Sequence, residues 1–496
     1  MMVSTLRDLL NAVSSLRRAI DDDAAARLEG WKDMVGEGGL PEGAVNLANY
    51  LALRERDVTP LQPALARFGL SSLGRSESRV LPTLDAVLAT LSALVGEEAR
   101  VARPDAETFD AGLERLERSA EVLFGPRNDP RRSRIMVTLE PDIALDHDEL
   151  ERMLAAGTDC VRINCAHDAP QTWRAMARAV REAARARGRT CRVLMDLAGP
   201  KIRTVDPHTP GDRPRLQSGD ELLLTFGRSA DRTRFPFQAG CSFPEILHQL
   251  DKGAPVALDD GAAMGRVVSL RKEGVVVAIE KTGPRGKKLK GDKGINFPGT
   301  PIELAPLTPE DLDALDVVCE IADMVGYSFV QRASDVALLQ GEIGKRRAHA
   351  EPLGIIAKIE TQLAFRNLPE IAVQAASANP FGIMIARGDL AVEVGFERTS
   401  EVQEEMLWLA EAAHVPVVWA TQVLESLVKK GMGTRGEYTD AAMGARAECV
   451  MLNKGPFIAD GVAALGDVLR RAERHATKKT PQLRALEAWR AASPEV

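Results

Sequence analysis

The chain has 496 residues, 45% of them hydrophobic, with 64 Lys and Arg against 71 Asp and Glu and a formal net charge of −7. That length exceeds one ordinary domain, and the apolar content is enough for two or three genuine cores. The acidic balance excludes a general binder of nucleic-acid polymers, which needs a surplus of Lys and Arg against phosphates.

From Thr5 the positions Leu6, Leu9, Leu10, Val13, Leu16 and Ile20 repeat at helical spacing, with Thr5 and Asp8 placed to form a capping box. Further stripes run through Leu81, Leu84, Val87, Leu88, Leu91 and Leu94, and through Phe109, Leu113, Leu116 and Leu123. Residues 1–124 therefore read as a helical extension, and the Gly- and Pro-containing stretch 125–133 as a linker. The run Gly69 to Ser76 imitates a phosphate-binding loop, but Arg75 replaces the required Lys and a helical pattern precedes it, so it reads as a connection between helices.

After the linker, β and α patterns alternate. Eight strands are expected: Ile135–Leu139, Cys160–Cys165, Cys191–Leu197, Met324–Val330, Ile355–Ile359, Gly382–Ala386, Pro416–Ala420 and Cys449–Leu452. Helical patterns such as 169–187 and 400–413 lie between most of them, which predicts an α/β fold with a parallel sheet closed into a (β/α)8 TIM barrel. More than a hundred residues separate the third and fourth strands, far beyond ordinary loop length. Short β-like runs at Glu221–Phe226, Pro255–Leu258 and Gly274–Ile279 make this an inserted small β-barrel lid domain over 205–300. The barrel is thus expected in two parts, 134–204 and 301–480, followed by a tail over 481–496.

Cys160, Cys165, Cys191, Cys241, Cys319 and Cys449 contain no Cys-x-x-Cys pair and read as buried thiols of a reducing cytoplasm. No apolar stretch approaches transmembrane length and Met1 is followed by a polar amphipathic pattern, so a cytoplasmic protein without a membrane partner is expected.

Three motifs close short apolar segments: Ala357-Lys358-Ile359-Glu360, Ala386-Arg387-Gly388-Asp389-Leu390 and Ala420-Thr421-Gln422. In an α/β barrel the C-terminal strand ends carry the active site, so a Lys, two carboxylates and a hydroxyl there predict a metal and phosphate site and point to phosphoryl transfer. With Val161-Arg162-Ile163-Asn164, the run Asp196 to Thr204, Leu258-Asp259-Asp260-Gly261, the run Lys293 to Gly299, and Thr434-Arg435-Gly436-Glu437, the chain from about Arg134 to Arg474 resembles the pyruvate kinase family.

The resemblance implies transfer of the phosphoryl group of phosphoenolpyruvate to ADP, giving pyruvate and ATP, with Mg²⁺ or Mn²⁺ on Glu360 and Asp389. It implies catalytic roles for Lys358, Arg162 and Thr421, with Lys358 neutralising the phosphoryl group in transfer. Gly388, Asp389 and Thr421 match the segment that holds the substrate carboxylate, and Arg162, Asn164, His167, Arg203 and Lys293 match residues on the nucleotide side. Thr421 also reads as satisfying a backbone group, and His167 as a simple loop histidine. Asp259 and Asp260 before Gly261 read as a turn, and most of the basic run Lys281 to Lys293 as a solvated hairpin.

The family's potassium site keeps Asn164 and Asp196 here, but Ala166 stands at a Ser position and Lys201 at a Glu position. A fixed ammonium there implies activity without potassium. Glu140 replaces a Gly and is expected to crowd or repel nucleotide phosphates, Asn453-Lys454-Gly455-Pro456 replaces Ser-Gly-Glu-Thr, and Glu404 replaces a Lys. The chain stops at Val496, which implies no C-terminal effector domain and no tetramer of the usual kind, while leaving room for another homo-oligomer. A catalytically reduced regulatory protein, a relative with a different phosphoryl acceptor and an aldolase-like enzyme on pyruvate enolate are the competing readings.

Overall fold

The computed structural model describes residues 5–211, 213–227, 231–347 and 351–482. Its centre is a closed barrel of eight parallel strands, β1 (Arg134–Thr138), β2 (Cys160–Asn164), β3 (Arg192–Asp196), β4 (Met324–Tyr327), β5 (Gly354–Ile359), β6 (Phe381–Ala386), β7 (Val417–Ala420) and β8 (Cys449–Leu452). Neighbours in sequence are neighbours in the barrel, and β8 closes on β1 in the register Arg134↔Cys449. The strands are almost wholly buried because helices such as Pro170–Ala186, Phe396–Ala413 and Ile458–Glu473 cover their outer faces, which explains their continuous apolar runs. All eight expected strands are present. The fourth ends at Tyr327, earlier than its apolar run suggests, because Phe329 turns away at φ 56° and donates its N–H to Glu360.

Inside the barrel, successive residues of one strand alternate between core and helix layer. A lower layer of Met136, Cys160, Leu194, Met324, Ile356, Met384, Val418 and Cys449 is wholly apolar. Steps of two along the same strands then lead from Cys160 to Arg162, from Leu194 to Asp196, and from Ile356 through Lys358 to Glu360. Period-two geometry thus gathers the charged residues at the C-terminal mouth above an apolar plug.

Of the N-terminal helices α1 (Leu6–Val35), α2 (Ala44–Arg54), α3 (Leu61–Arg67), α4 (Val80–Val95) and α5 (Ala106–Phe124), the last reaches the other mouth. Helix α1 begins with the expected capping box of Thr5 and Asp8, and its apolar stripe packs on α2 and α4 in a core shared with Val373 and Ala412 of the barrel's outer helices. In α4 the expected stripe holds through Leu91, while Leu94 is 52% exposed and Val80, outside the stripe, is buried. The end of α5 inserts Ala120, Leu123 and Phe124 beneath the lower barrel layer. Gly354 is required for this approach, since a Cβ there would lie 2.7 Å from a Leu123 methyl.

The 125–133 segment is not a loose tether. Arg131 is buried and pairs with buried Asp159 at 2.7 Å, while Ser133 hydrogen-bonds Ala447 at 2.8 Å. A guanidinium taken out of water needs such partners, so this segment is fixed to the barrel wall.

Between β3 and β4 lies a seven-stranded sheet whose strands run from Thr204–His208 to Ile295–Asn296, with a core that includes Leu222, Leu224, Phe237, Val275, Val277 and Ile279. Its 259–261 turn rests on the barrel, where Gly261 faces Phe396 and Val392. All six cysteines are free thiols. No helix of the described residues is long and apolar enough to cross a membrane. The expected tail lies outside the described residues beyond Gln482.

Leu123→Ala should lower stability by about 2–5 kcal/mol, as for other buried Leu truncations. Leu94→Ala, on an exposed face, should stay within about 0.5 kcal/mol of the parent. Urea unfolding followed by circular dichroism tests this, and an equal midpoint for both variants would show that the end of α5 carries none of the barrel's core.

Candidate active site

At the C-terminal mouth, three cations (Arg162, Lys201, Lys358) face three carboxylates (Asp196, Glu360, Asp389). Asp196, 1% exposed, lies at the centre. Its Oδ2 accepts from Arg162 Nε at 2.7 Å and Nη2 at 2.5 Å, and lies 3.4 Å from Lys358 Nζ. Gly326 on β4 makes the room, because a Cβ there would meet Asp196 Oδ1 at 2.4 Å. Lys358 Nζ also contacts Glu360 Oε1 at 3.1 Å and Ser328 Oγ at 2.7 Å. Glu360 Oε2 accepts from the Phe329 N–H at 2.7 Å.

The electrostatics follow from burial against pairing. Burial alone would raise the Asp196 carboxyl, but Lys358 and Arg162 outweigh it and hold the group below the usual carboxylate range. Burial would likewise discharge Lys358, yet Asp196 and Glu360 keep its pKa above the ordinary lysine value. Glu360 goes the other way: burial, reinforced by Asp389, pushes its carboxyl up in spite of Lys358. Two carboxylates converging there are short of positive charge.

Asp389 lies in the first turn of a helix, Arg387–Val394, whose N-terminus opens at the end of β6. Its Oδ2 accepts from Lys201 Nζ at 2.9 Å, and its Oδ1 is buried with no hydrogen-bond partner. Thr421, just beyond β7, has φ 66°, a costly left-handed conformation for a β-branched residue, and its buried Oγ1 also lacks a partner. Arg387 holds that strain in place. It donates to the carbonyls of Ala420 at 2.8 Å and Thr421 at 2.5 Å, stacks 4.5 Å from the Trp419 ring, and is anchored by Asp440. Gly388 lies beside it, with the Thr421 methyl 3.9 Å from the place a Cβ would take.

Arg162, Asn164 and His167 line a cavity of about 260 Å³ together with Glu140, Asn453 and Lys454. Sequence reasoning set Glu140 against nucleotide phosphates. In the structure Lys454 Nζ meets its carboxylate at 3.0 Å, so two departures from the family pattern compensate each other. Glu404 is matched in the same way, by Arg446. Arg203 and Lys293 do not line this cavity. They belong to the lid side, where Arg203 pairs with Asp292 at 3.2 Å and Lys293 with Asp259 at 3.5 Å. The Asp259-Asp260-Gly261 turn has three consecutive positive φ angles, 50°, 55° and 80°, and it also places Asp259 against the two lysines Lys287 and Lys293.

A second cavity of about 330 Å³ lies between lid and barrel, reaching from Lys201, Phe329 and Asp389 to Glu393. Burial pushes the Glu393 carboxyl up to about 7 although the Asn296 side chain hydrogen-bonds it. Motif spacing singled out neither Glu393, nor Ser328 under Lys358, nor Arg387 behind Thr421. For Ser328 and Arg387 the available signal was a polar residue just past a strand end, while Glu393 sits at the far end of the Arg387–Val394 helix and carried no such signal.

Glu360 and Asp389 suit a hard divalent cation, and the unpartnered Asp389 Oδ1 is a free donor for one. Among the described residues no group of three or more His, Cys, Asp or Glu side chains has metal-binding geometry, so a divalent cation on Glu360 and Asp389 would need further ligands from outside the chain.

Comparison with known proteins identifies the family. The family model for the pyruvate kinase barrel domain matches residues 130–460. The pyruvate kinase of Geobacillus stearothermophilus is 31% identical over 69% of this chain and 57% of its own length. One from Agrobacterium vitis is 30% identical over 70% of each chain. Pyruvate kinase PKLR of Homo sapiens is 31% identical over 69% of this chain and 60% of its own. The first and third matches thus span less than two thirds of those relatives. A solved pyruvate kinase from Cryptosporidium parvum superposes with a TM-score of 0.62 at 28% identity, covering 71% of this chain and 72% of that one. With its closed barrel, its inserted lid and these matches, the chain belongs to the pyruvate kinase family.

Proposed function

We propose that this mouth transfers the phosphoryl group of phosphoenolpyruvate to ADP, using Mg²⁺ or Mn²⁺ and no potassium. The observation that supports the reading most strongly is the buried ammonium of Lys358, held charged by Asp196 and Glu360 and oriented by Ser328. A cation fixed at a water-poor barrel mouth stabilises charge that develops on a transferring group without reorganising during the reaction.

In this reading Glu360 and Asp389 would hold the divalent cation, which would supply Lewis-acid stabilisation of developing negative charge. The substrate carboxylate docks at the N-terminus of the Arg387–Val394 helix, on the backbone amides of Gly388 and Asp389, with Thr421 Oγ1 as its hydroxyl partner. Lys358 neutralises the phosphoryl group as its bond to the enol oxygen breaks and a bond to the terminal ADP oxygen forms. Arg162, oriented by Asp196 and Thr138, faces the cavity that would take the nucleotide phosphates, with Asn164 and His167 beside it. The enolate then takes a proton on carbon to become pyruvate. Arg203 and Lys293 approach the nucleotide from the lid side.

Lys201 carries the potassium argument. Its ammonium pairs with Asp389 at 2.9 Å rather than with Asp196 of the expected potassium site, which Arg162 and Lys358 hold instead, so fixed positive charges already sit at both carboxylates. The lid and the Arg387 brace around Thr421 favour this reading over a catalytically reduced protein, since a strained hydroxyl and a buried ion network are costly to keep without use.

Pyruvate formation from phosphoenolpyruvate and ADP, measured in potassium-free buffer with Mg²⁺ or Mn²⁺, tests the reaction. Lys358→Met should lower kcat about 10²–10³-fold, the scale for losing one preorganised charge. An active protein indifferent to this substitution would contradict the role given to Lys358. Lys201→Glu should lose most turnover in potassium-free buffer and regain it with KCl but not with choline chloride at equal ionic strength. If the parent itself needed potassium, the fixed-cation reading would fail.

A further inference from the structure

We propose that the groove between α5 and the N-terminal ends of β6 and β7 binds a small organic anion with an apolar body. The groove encloses about 350 Å³, within the range of small-molecule sites. It lies at the mouth opposite the catalytic cleft, between the N-terminal helices and the barrel.

Arg115, Arg118, Ser119 and Val122 follow the i, i+3, i+4, i+7 spacing and share one face of α5, the face that lines this groove. Opposite them are Pro380 and Phe381 at the start of β6 and Val415 just before β7. Val122 is 56% exposed although it faces apolar groups, leaving an apolar wall for a ligand to cover. The rim is cationic. Arg115 Nε is 3.3 Å and Arg118 Nη2 4.0 Å from one carboxylate, that of Glu42, whose side chain is 77% exposed, and the Arg118 side chain is 65% exposed. Two guanidiniums share one exposed counter-charge, so an incoming carboxylate or phosphate meets positive charge in the fork geometry that suits it.

The inner wall adds no free donor for an anion. His414 is buried, and its Nε2 sits 3.0 Å from the Ser78 carbonyl, which assigns the ring proton to that nitrogen. Its Nδ1, a lone-pair acceptor, is buried with no hydrogen-bond partner. Asn379, by contrast, spends its amide on Leu353 and Gln340. The lining therefore combines an apolar floor with a two-arginine rim that carries one exposed carboxylate, Glu42, which selects an anion carried on an aromatic or aliphatic body over a bare inorganic ion.

Fluorine NMR titrations of the full chain with 4-fluorobenzoate, 4-fluorophenyl phosphate and neutral 4-fluorobenzyl alcohol, each with saturating phosphoenolpyruvate and Mg²⁺ to block the catalytic cleft, test the site. Saturable binding of one or both anions, with the neutral analogue at least about tenfold weaker, is expected. The order of the two anions identifies carboxylate or phosphate as the preferred head group. Arg115→Ala/Arg118→Ala should weaken anion binding about tenfold or more. Val122→Trp, which fills the groove and leaves both arginines, should abolish it. Circular dichroism melts of both variants should match the parent, since the altered side chains are exposed. Absence of saturable binding, binding of the neutral analogue as tight as that of the anions, or binding unchanged in both variants would overturn the proposal.

Discussion

The buried contact of Asp196 with Arg162 and Lys358 is the constraint on which the rest of the mouth depends. Ionised groups of this kind are expensive to remove from water, and they persist only where opposite charges are close, as they are around Asp196 Oδ2. Each neighbouring feature serves that requirement. Gly326 vacates space for the carboxylate, Ser328 and Glu360 complete the shell of Lys358, and the Phe329 N–H closes the remaining side of Glu360. Removing one partner would strand a charge, which is why the cluster behaves as a unit and why its members sit on three different strands and the loop after a fourth.

That cluster needs a rigid floor. The barrel supplies it through an apolar lower layer, and α5 completes the layer from below with Leu123 and Phe124. Helix α5 is therefore part of the barrel's core, while α1 to α4 pack on the barrel's outer helices through Val373 and Ala412. Their attachment is reinforced by Asn46, which donates to the carbonyls of Glu77 and Ala412 at 2.7 and 2.8 Å, and by the His414 contact with Ser78. Strands β6 and β7 run from this junction to Asp389 and Thr421, so the two ends of the barrel share the same load-carrying elements.

Much of this was legible in the sequence because barrel strands announce themselves as continuous apolar runs and because period-two alternation fixes which residues share a face. Lys358 and Glu360, or Arg162 and Asn164, follow from that rule alone. The plugging of the barrel by α5 was not legible, since a helical stripe at Leu116 and Leu123 does not say which surface it meets. The pairing of Glu140 with Lys454 was hidden for a related reason: the two residues lie more than three hundred positions apart, and only closure of β8 on β1 makes them neighbours. Arg131 looked like part of a polar linker, and its burial depends on Asp159, whose position is set by tertiary packing.

Metal binding tests the central claim most directly, that Glu360 and Asp389 form a divalent-cation site completed by substrate. Electron paramagnetic resonance titration of Mn²⁺ into the full chain, with and without phosphoenolpyruvate, should show a single site per chain that tightens when phosphoenolpyruvate is present. Glu360→Gln and Asp389→Asn should each abolish that tightened site while leaving the barrel folded. Mn²⁺ binding that ignores phosphoenolpyruvate, or that survives both substitutions, would contradict the assignment of these two carboxylates.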